Sequence, residues 1–473
     1  MPSCQHETLH LDVSPHAAEV GFSRPSLAKR KAATTASGRA SGKTSDHLQL
    51  ESLFPGPLVL PDDCLAIDPK EPPQSLRSWT MEKLRNPFTQ ERKTIYVVPT
   101  PDIPSGTAFS RTLNGWTLPF VLQAPLKGGC DAPKAKYIRN YLEAFYHPIP
   151  VRTLPNTASF VPWTEGKSKP NPKEPPQYVG LQLGDNVTRI TTRPCPDETY
   201  PRQLNLNDML DAAIEALPSD AYALVLLTDH DLYEDDDDDF CCGRAYGNSR
   251  VAVVSSARYH PLLDEPTEID REHTWPFSHC DAYVQRLCRD AEEDHEPGGS
   301  ASTTSSSSNP KRRKLTTPAP APQPSASQPS PQPPQEPQDP MTRVVQAGLG
   351  TPGPNHNPAG MWLARVVRTV AHELGHCLCL DHCSYYACVM QGTAGMAEDL
   401  RQPPYLCLVC EAKLARAMKD LGSDGEGEGG GEVLLERYEK LMSYCTLWKS
   451  VGMFAAYKSW LEERITVLKK ASS

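Results

Sequence analysis

The sequence predicts an α+β fold in which helices pack on a twisted sheet. Three observations carry this expectation. Ala221 to Thr228 is a continuous apolar run of strand length, and Arg250 to Ser255 is a second. Short runs rich in Val and Leu that stop at polar residues suit buried strands. Before them, Ile138, Tyr141, Leu142 and Phe145 recur at helical spacing within Tyr137 to Tyr146. Met209, Leu210, Ile214 and Leu217 do the same within Asn207 to Leu217, with Asn207 or Asp208 available as a cap. Helix, strand, helix, strand in this order lets one layer cover the other.

The chain has 473 residues, only 38% of them hydrophobic, and 48 prolines. A large part is therefore expected to lie outside any packed core. A net charge of −10 argues against specific nucleic-acid binding. No apolar run reaches the length of a membrane-spanning helix. The first thirty residues lack an apolar signal segment, so a cytoplasmic or nuclear protein is expected rather than a secreted one. In that setting the fifteen cysteines read as reduced thiols and metal ligands.

Taken in order, residues 1–52 read as a disordered basic tail, with Arg24, Lys29, Arg30, Lys31, Arg39 and Lys43 in a stretch without acids. Residues 53–92 form a Pro-rich irregular lead-in. Ordered structure is expected over 93–292, beginning with a strand at Thr94 to Val98 that Pro99 ends. Val151 to Leu154 reads as the next strand. The six acids Glu234 to Asp239 repel one another and read as a solvated loop. A helix is expected over Asp281 to Glu292. Residues 293–358 read as a disordered Pro/Ser/Gln-rich insertion holding the basic cluster Lys311-Arg312-Arg313-Lys314, a short motif compatible with nuclear import. A helix over Met361 to Cys377 opens the segment 359–421, which a short helix at Lys413 to Leu421 closes. Helical spacing returns in 433–473, at Leu434, Tyr438, Leu441, Met442 and Cys445 and again over Trp460 to Leu468, suggesting a helical hairpin.

The chemistry concentrates in Ala371 to Glu411. His372, Glu373 and His376 form His-Glu-x-x-His, and His382 follows. Residues four apart share a helix face, so His372 and His376 can point at one ion, with Glu373 beside it as a general base. His382, on a chain that turns back after the helix, supplies a third neutral ligand and leaves a fourth position for water, the donor set of a catalytic zinc. Cys383, Cys388, Cys407 and Cys410 form a closed four-thiol set, which suits a structural zinc. Because Cys383 adjoins His382, this second zinc would pin the segment that presents the third histidine. Two zinc ions per chain follow, one catalytic and one structural.

At these residues the sequence closely resembles the archaemetzincins, a metzincin-clan family of metallopeptidases, and in particular eukaryotic members. The shared pattern runs through His372, Glu373, His376, His382, Cys383, Cys388, Met390, Cys407 and Cys410, and more weakly upstream through 93–289. The resemblance implies a metzincin-like fold: a mixed twisted sheet with packed helices in an upper subdomain over 93–292, an active-site helix, and a small lower subdomain with the Cys4 zinc. It implies that Met390 is the Met-turn methionine beneath the metal, that an edge strand lies above the cleft, and that the activity is aminopeptidase-like hydrolysis of peptide or protein substrates. One departure stands out. The family's glycine three residues after His376 is Cys379 here, where the bend at the helix end favours glycine. Tyr246 and His230 fall in the upper match, with nothing in the sequence to place them in the cleft. The alternative function is a catalytically silent two-zinc interaction or scaffold protein, which would have no need of Glu373.

Overall fold

Side chains alternate between the two faces of a strand, and the central sheet is covered on both. The computed structural model describes residues 4–40, 51–122, 130–155, 157–163, 175–295, 339–353, 356–419, 421 and 430–471. The central sheet comprises β1 (Thr94–Val98), β2 (Val151–Thr153), β7 (Ala221–Thr228), β9 (Gly243–Tyr246) and β10 (Val251–Ser255), in the order β2-β1-β7-β10-β9. The first four in this order run parallel, and β9 is antiparallel to β10 at the edge, so the sheet is mixed. β1, β7 and β10 are buried at every position. That is why they read as unbroken apolar runs rather than alternating ones.

Ala223, Val225 and Leu227 face the layer formed by helices Ala135–Phe145 and Pro358–Cys377. Leu224 and Leu226 face the opposite layer, with helices Ala108–Trp116 and Leu206–Glu215. A second sheet adds to that layer. It contains β3 (Ala158–Pro162), β4 (Tyr178–Leu183), β5 (Asn186–Pro194), β6 (Arg202–Asn205) and β8 (Asp231–Tyr233), in that order, antiparallel from β3 to β6 and parallel between β6 and β8. The strands expected at Thr94 to Val98 and Ala221 to Thr228 are found at those bounds. The helix expected over Asn207 to Leu217 starts one residue earlier, at Leu206, and ends at Glu215. Its cap is Asn205, whose side chain accepts the Asp208 N–H at 3.0 Å. Ile214 is exposed; Ala212 and Ala213 are buried instead.

Residues 4–40 differ from the expected disordered tail. They contain helices His16–Glu19 and Leu27–Ala33 and are packed on the body. Sparse apolar anchors do this: Ala17 and Phe22 cluster with Val59 and Leu65, and Ala33 joins the main core. The basic residues find partners far along the chain. Arg24 and Arg30 lie over the Tyr386 ring at 5.0 and 5.4 Å, and Arg30 pairs with Glu51 at 2.8 Å. The lead-in 53–92 is irregular apart from helices Cys64–Ile67 and Leu76–Met81. The expected disordered stretch 293–358 is interrupted by a capped helix, Pro340–Leu349, with Met341, Val344 and Val345 buried. The helix Asp281–His295 also runs past 293. The cluster Lys311 to Lys314 lies outside the described residues.

Helices Gly430–Leu447 and Gly452–Ala471 close the chain. Trp460 stacks on Tyr405 at 4.3 Å, and Arg464 pairs with Glu411 at 3.0 Å, so the last helix braces the thiol-bearing segment. Among the described residues no helix is long and apolar enough to cross a membrane.

Candidate metal centres

The helix Pro358–Cys377 starts on a strong N-terminal signal: Pro358 occupies the first turn and the Asn357 side chain accepts the Gly360 N–H at 2.9 Å. It is buried along most of its length, and Arg365 is held by Asp264 at 2.6 and 2.7 Å. Its end is a Schellman turn. Leu380 N–H donates to Gly375 O at 3.1 Å and Cys379 N–H to His376 O at 2.8 Å, with Cys379 at φ 62°. Cys379 thus takes the left-handed conformation that glycine adopts without strain. The same turn delivers Leu380 O to Nδ1 of His376 at 2.7 Å.

The three histidines converge. Their ring centroids lie 4.7, 5.0 and 5.5 Å apart, and one ligand nitrogen from each lies within 4.8 Å of the others. Nδ1 of His372 faces Val389 O at 2.7 Å, as Nδ1 of His376 faces Leu380 O. Both therefore carry their proton on Nδ1 and leave Nε2 for the centre, where the two Nε2 atoms are 3.0 Å apart. Burial holds His372 well below the usual imidazole range and His376 at about 3, so both are neutral, the ligating form. His382 lies over Gly392: a Cβ there would come within 2.9 Å of its Nδ1, and that nitrogen is 3.6 Å from Glu71 Oε1. The donor set fits a zinc ion.

Cys383, Cys388, Cys407 and Cys410 are all buried, with their sulfurs within 4.8 Å of one another. Cys388 Sγ receives the backbone N–H of Cys407 at 3.2 Å and of Met390 at 3.5 Å. Hydrogen bonds from the other three thiols, and then the Lys413 ammonium, pull Cys383 well below the usual thiol range. Burial pushes Cys388 and Cys407 up. Four sulfurs crowded in one buried pocket are the donor set of a closed zinc site, whose charge would hold them as thiolates.

Residues 354–416, which span both donor sets, match the model of Peptidase family M54. The chain is archaemetzincin-like over this core. It is 30% identical over 127 residues to archaemetzincin-2 of Rattus norvegicus, covering 23% of this chain and 32% of that protein. It is 44% identical over 55 residues to the archaemetzincin of Aeropyrum pernix, covering 12% of this chain and 30% of that protein. The aligned segment is thus about a third of the length of these curated relatives. The crystal structure of archaemetzincin from Methanopyrus kandleri is 15% identical, covers 70% of this chain and 97% of its own, and superposes with a TM-score of 0.29.

In this archaemetzincin-like chain the histidines open into a cleft of about 910 Å³. Glu373 lines it, and burial pushes its carboxyl up to about 8. The roof is the edge strand β9, whose Gly243 lets the Glu373 side chain approach: a Cβ there would come within 3.3 Å of it. Asp237, Asp238 and Asp239 of the acidic loop also line the cleft. Met390 is fully buried and packs against Gly375 on the histidine helix. Tyr246 and His230 do not line the cleft. Tyr246 donates to Asn207 Oδ1 at 2.7 Å, and His230 is buried with Nε2 on Leu113 O at 3.2 Å.

Sequence reasoning missed the residues that hold the turn bearing His382. Gln74 donates to Cys379 O at 3.0 Å and to Asp381 Oδ2 at 2.8 Å, and its Oε1 accepts from Lys413 Nζ at 2.7 Å. Trp79 Nε1 donates to Leu378 O at 2.9 Å. The Pro-rich lead-in that carries both has no periodic pattern to mark them.

Proposed function

We propose that this chain is a zinc-dependent metallopeptidase with aminopeptidase-like action on peptide or protein substrates. The observation that carries the reading is the convergence of three imidazoles and one buried carboxylate in a single cleft beneath an edge strand. His372, His376 and His382 would hold the catalytic zinc, and Cys383, Cys388, Cys407 and Cys410 a structural one. Bound to the imidazoles, zinc supplies a Lewis acid that polarises a peptide carbonyl and lowers the pKa of water.

The remaining work falls to the chain's own groups. Glu373, the general base, accepts a proton from the attacking water and returns it to the leaving amine. Burial alone favours its neutral acid, so the charge of a zinc ion on the neighbouring histidines would be what keeps it ionised and able to accept that proton. The outer edge of β9 offers unpaired backbone groups along which an extended peptide can lie as an added strand. Met390 fixes the floor beneath the histidines. The thiol set fixes Cys383, and through it the neighbouring His382.

The deciding experiment assays the purified full-length protein on a peptide library beside Glu373→Gln. Turnover should fall by at least about 10²-fold while the zinc content stays the same. Equal, background turnover in both proteins, with both zinc ions retained, would favour the catalytically silent scaffold instead.

A further inference from the structure

A third cluster of metal-ligating side chains lies away from both centres. Cys4 and His6 of the N-terminal arm meet His273 and Cys280, and one ligand atom from each lies within 4.8 Å of all the others. His6, His273 and Cys280 are buried, at 4%, 5% and 2% exposure. The two sulfurs are 3.5 Å apart, a separation that suits two ligands of one tetrahedral ion and is far beyond the ~2.05 Å of a disulfide.

We propose that Cys4, His6, His273 and Cys280 form a Cys2His2 zinc site that clamps the N-terminal arm to the body. Four features besides proximity point to a cation. First, Nδ1 of His6 is buried without a hydrogen-bond partner, and Nε2 of His273, buried too, has only the Cys4 thiol before it. Buried polar atoms without good partners are uncommon, and two within one Cys/His cluster share one explanation. Second, Nδ1 of His273 lies 2.7 Å from Asp270 Oδ2. This carboxylate fixes the tautomer that frees Nε2, the arrangement found behind metal-bound histidines. Third, both rings are clamped face to face, His6 on Phe277 at 4.8 Å and His273 on Tyr283 at 4.2 Å, so their nitrogens hold direction. Fourth, Cys280 immediately precedes the helix Asp281–His295, with the N–H groups of Ala282 and Tyr283 turned toward its sulfur. Burial pushes the Cys280 thiol up, and these helix N-terminal N–H groups act against it on the side of the thiolate. Two thiolates and two neutral imidazoles suit zinc, closed and four-coordinate, so the site is structural.

The position explains why an arm with few apolar anchors stays down. Beside the cluster the arm pairs with the body only briefly: His10 N–H on His279 O at 2.7 Å and Asp281 N–H on Thr8 O at 2.9 Å. A metal joining residues 276 positions apart closes the large loop between them and secures this edge.

The test is zinc content per chain in reduced, full-length protein. Cys4→Ser/Cys280→Ser should contain one zinc fewer than wild type. That loss should add to the separate losses in His372→Ala and Cys410→Ser. Should the double variant not fold, His6→Ala and His6→Cys decide the same point: the first loses that zinc and the second keeps it, because a thiolate replaces the imidazole. Limited proteolysis should release the arm in every variant that loses the metal. An unchanged zinc content in Cys4→Ser/Cys280→Ser, or a Cys4–Cys280 disulfide found by mass spectrometry in place of the metal, overturns the proposal.

Discussion

Val389 O lies 2.7 Å from Nδ1 of His372, and Val389 sits between Cys388 of the thiol set and Met390. The two centres are thus coupled twice: Cys383 adjoins His382, and the residue after Cys388 orients His372. Removing such an outer partner of a metal-bound histidine costs metal affinity by roughly 10–100-fold. Cys410→Ser should therefore lose the structural zinc and also weaken zinc binding at the histidines by about that factor. Competition with a chromophoric chelator measures both steps. Unchanged affinity at the histidine site would show that the centres are independent.

Gly375 and Met390 test the floor of the site. A Cβ on Gly375 would overlap the Met390 sulfur and come within 2.9 Å of its terminal carbon. Met390 is fully buried, so it can move only by displacing its neighbours. Gly375→Ala should cost about 1–3 kcal/mol in urea unfolding, in the range of overpacked cores. Gly375→Ala/Met390→Ala should recover part of that loss, since the smaller side chain makes room.

What could be read from the sequence, and what could not, divides along one physical line. The strands β1 and β7 were legible because burial on both faces leaves an unbroken apolar run of strand length, and the histidine helix because its packing imposes a helical period. The donor sets were legible because metal geometry imposes spacing. Gln74 was not, because its partners Cys379 and Asp381 lie more than 300 positions away and a single amide leaves no period. The N-terminal arm misled for a related reason. Its basic residues look like a solvated tail, yet Arg24 donates to Tyr385 O at 3.2 Å, within the segment between Cys383 and Cys388. Cys4 and His6 form a pattern only once the fold brings in His273 and Cys280.

Gln74 itself yields a prediction. Gln74→Ala leaves Lys413, 1% exposed, without the acceptor at 2.7 Å, and frees the carbonyl of Cys379. An unsatisfied buried group costs about 1–3 kcal/mol. The variant should lose stability by that amount and bind the histidine-site zinc more weakly, since the turn it held carries His382. Chelator competition and urea melts on one preparation separate the two effects.

Cys379 occupies the left-handed turn at φ 62°. Placing a side chain there costs about 1–2 kcal/mol, whereas glycine brings a backbone-entropy penalty of about 0.5–1 kcal/mol. Cys379→Gly should thus raise stability by no more than about 1.5 kcal/mol and keep the histidine site intact. Cys379→Val, β-branched at positive φ, should destabilise by at least about 1 kcal/mol. A valine variant as stable as wild type would mean that the turn relaxes out of this conformation.

His230 sets an acid limit on the fold. Burial holds its pKa at about 4, and Nε2 faces Leu113 O at 3.2 Å. In the unfolded chain the ring titrates near 6.5, so between pH 6.5 and pH 4 the unfolded state binds more protons than the folded one. Stability therefore falls as pH drops through this window and levels off below it, with a loss from this residue on the order of 3 kcal/mol. His230→Phe removes the titrating group from the buried site beside Phe160. Its urea midpoint, compared with wild type at pH 7 and pH 4.5, should depend less on pH. If both proteins lose the same stability over that interval, the acid sensitivity originates elsewhere and His230 titrates alike in the folded and unfolded states.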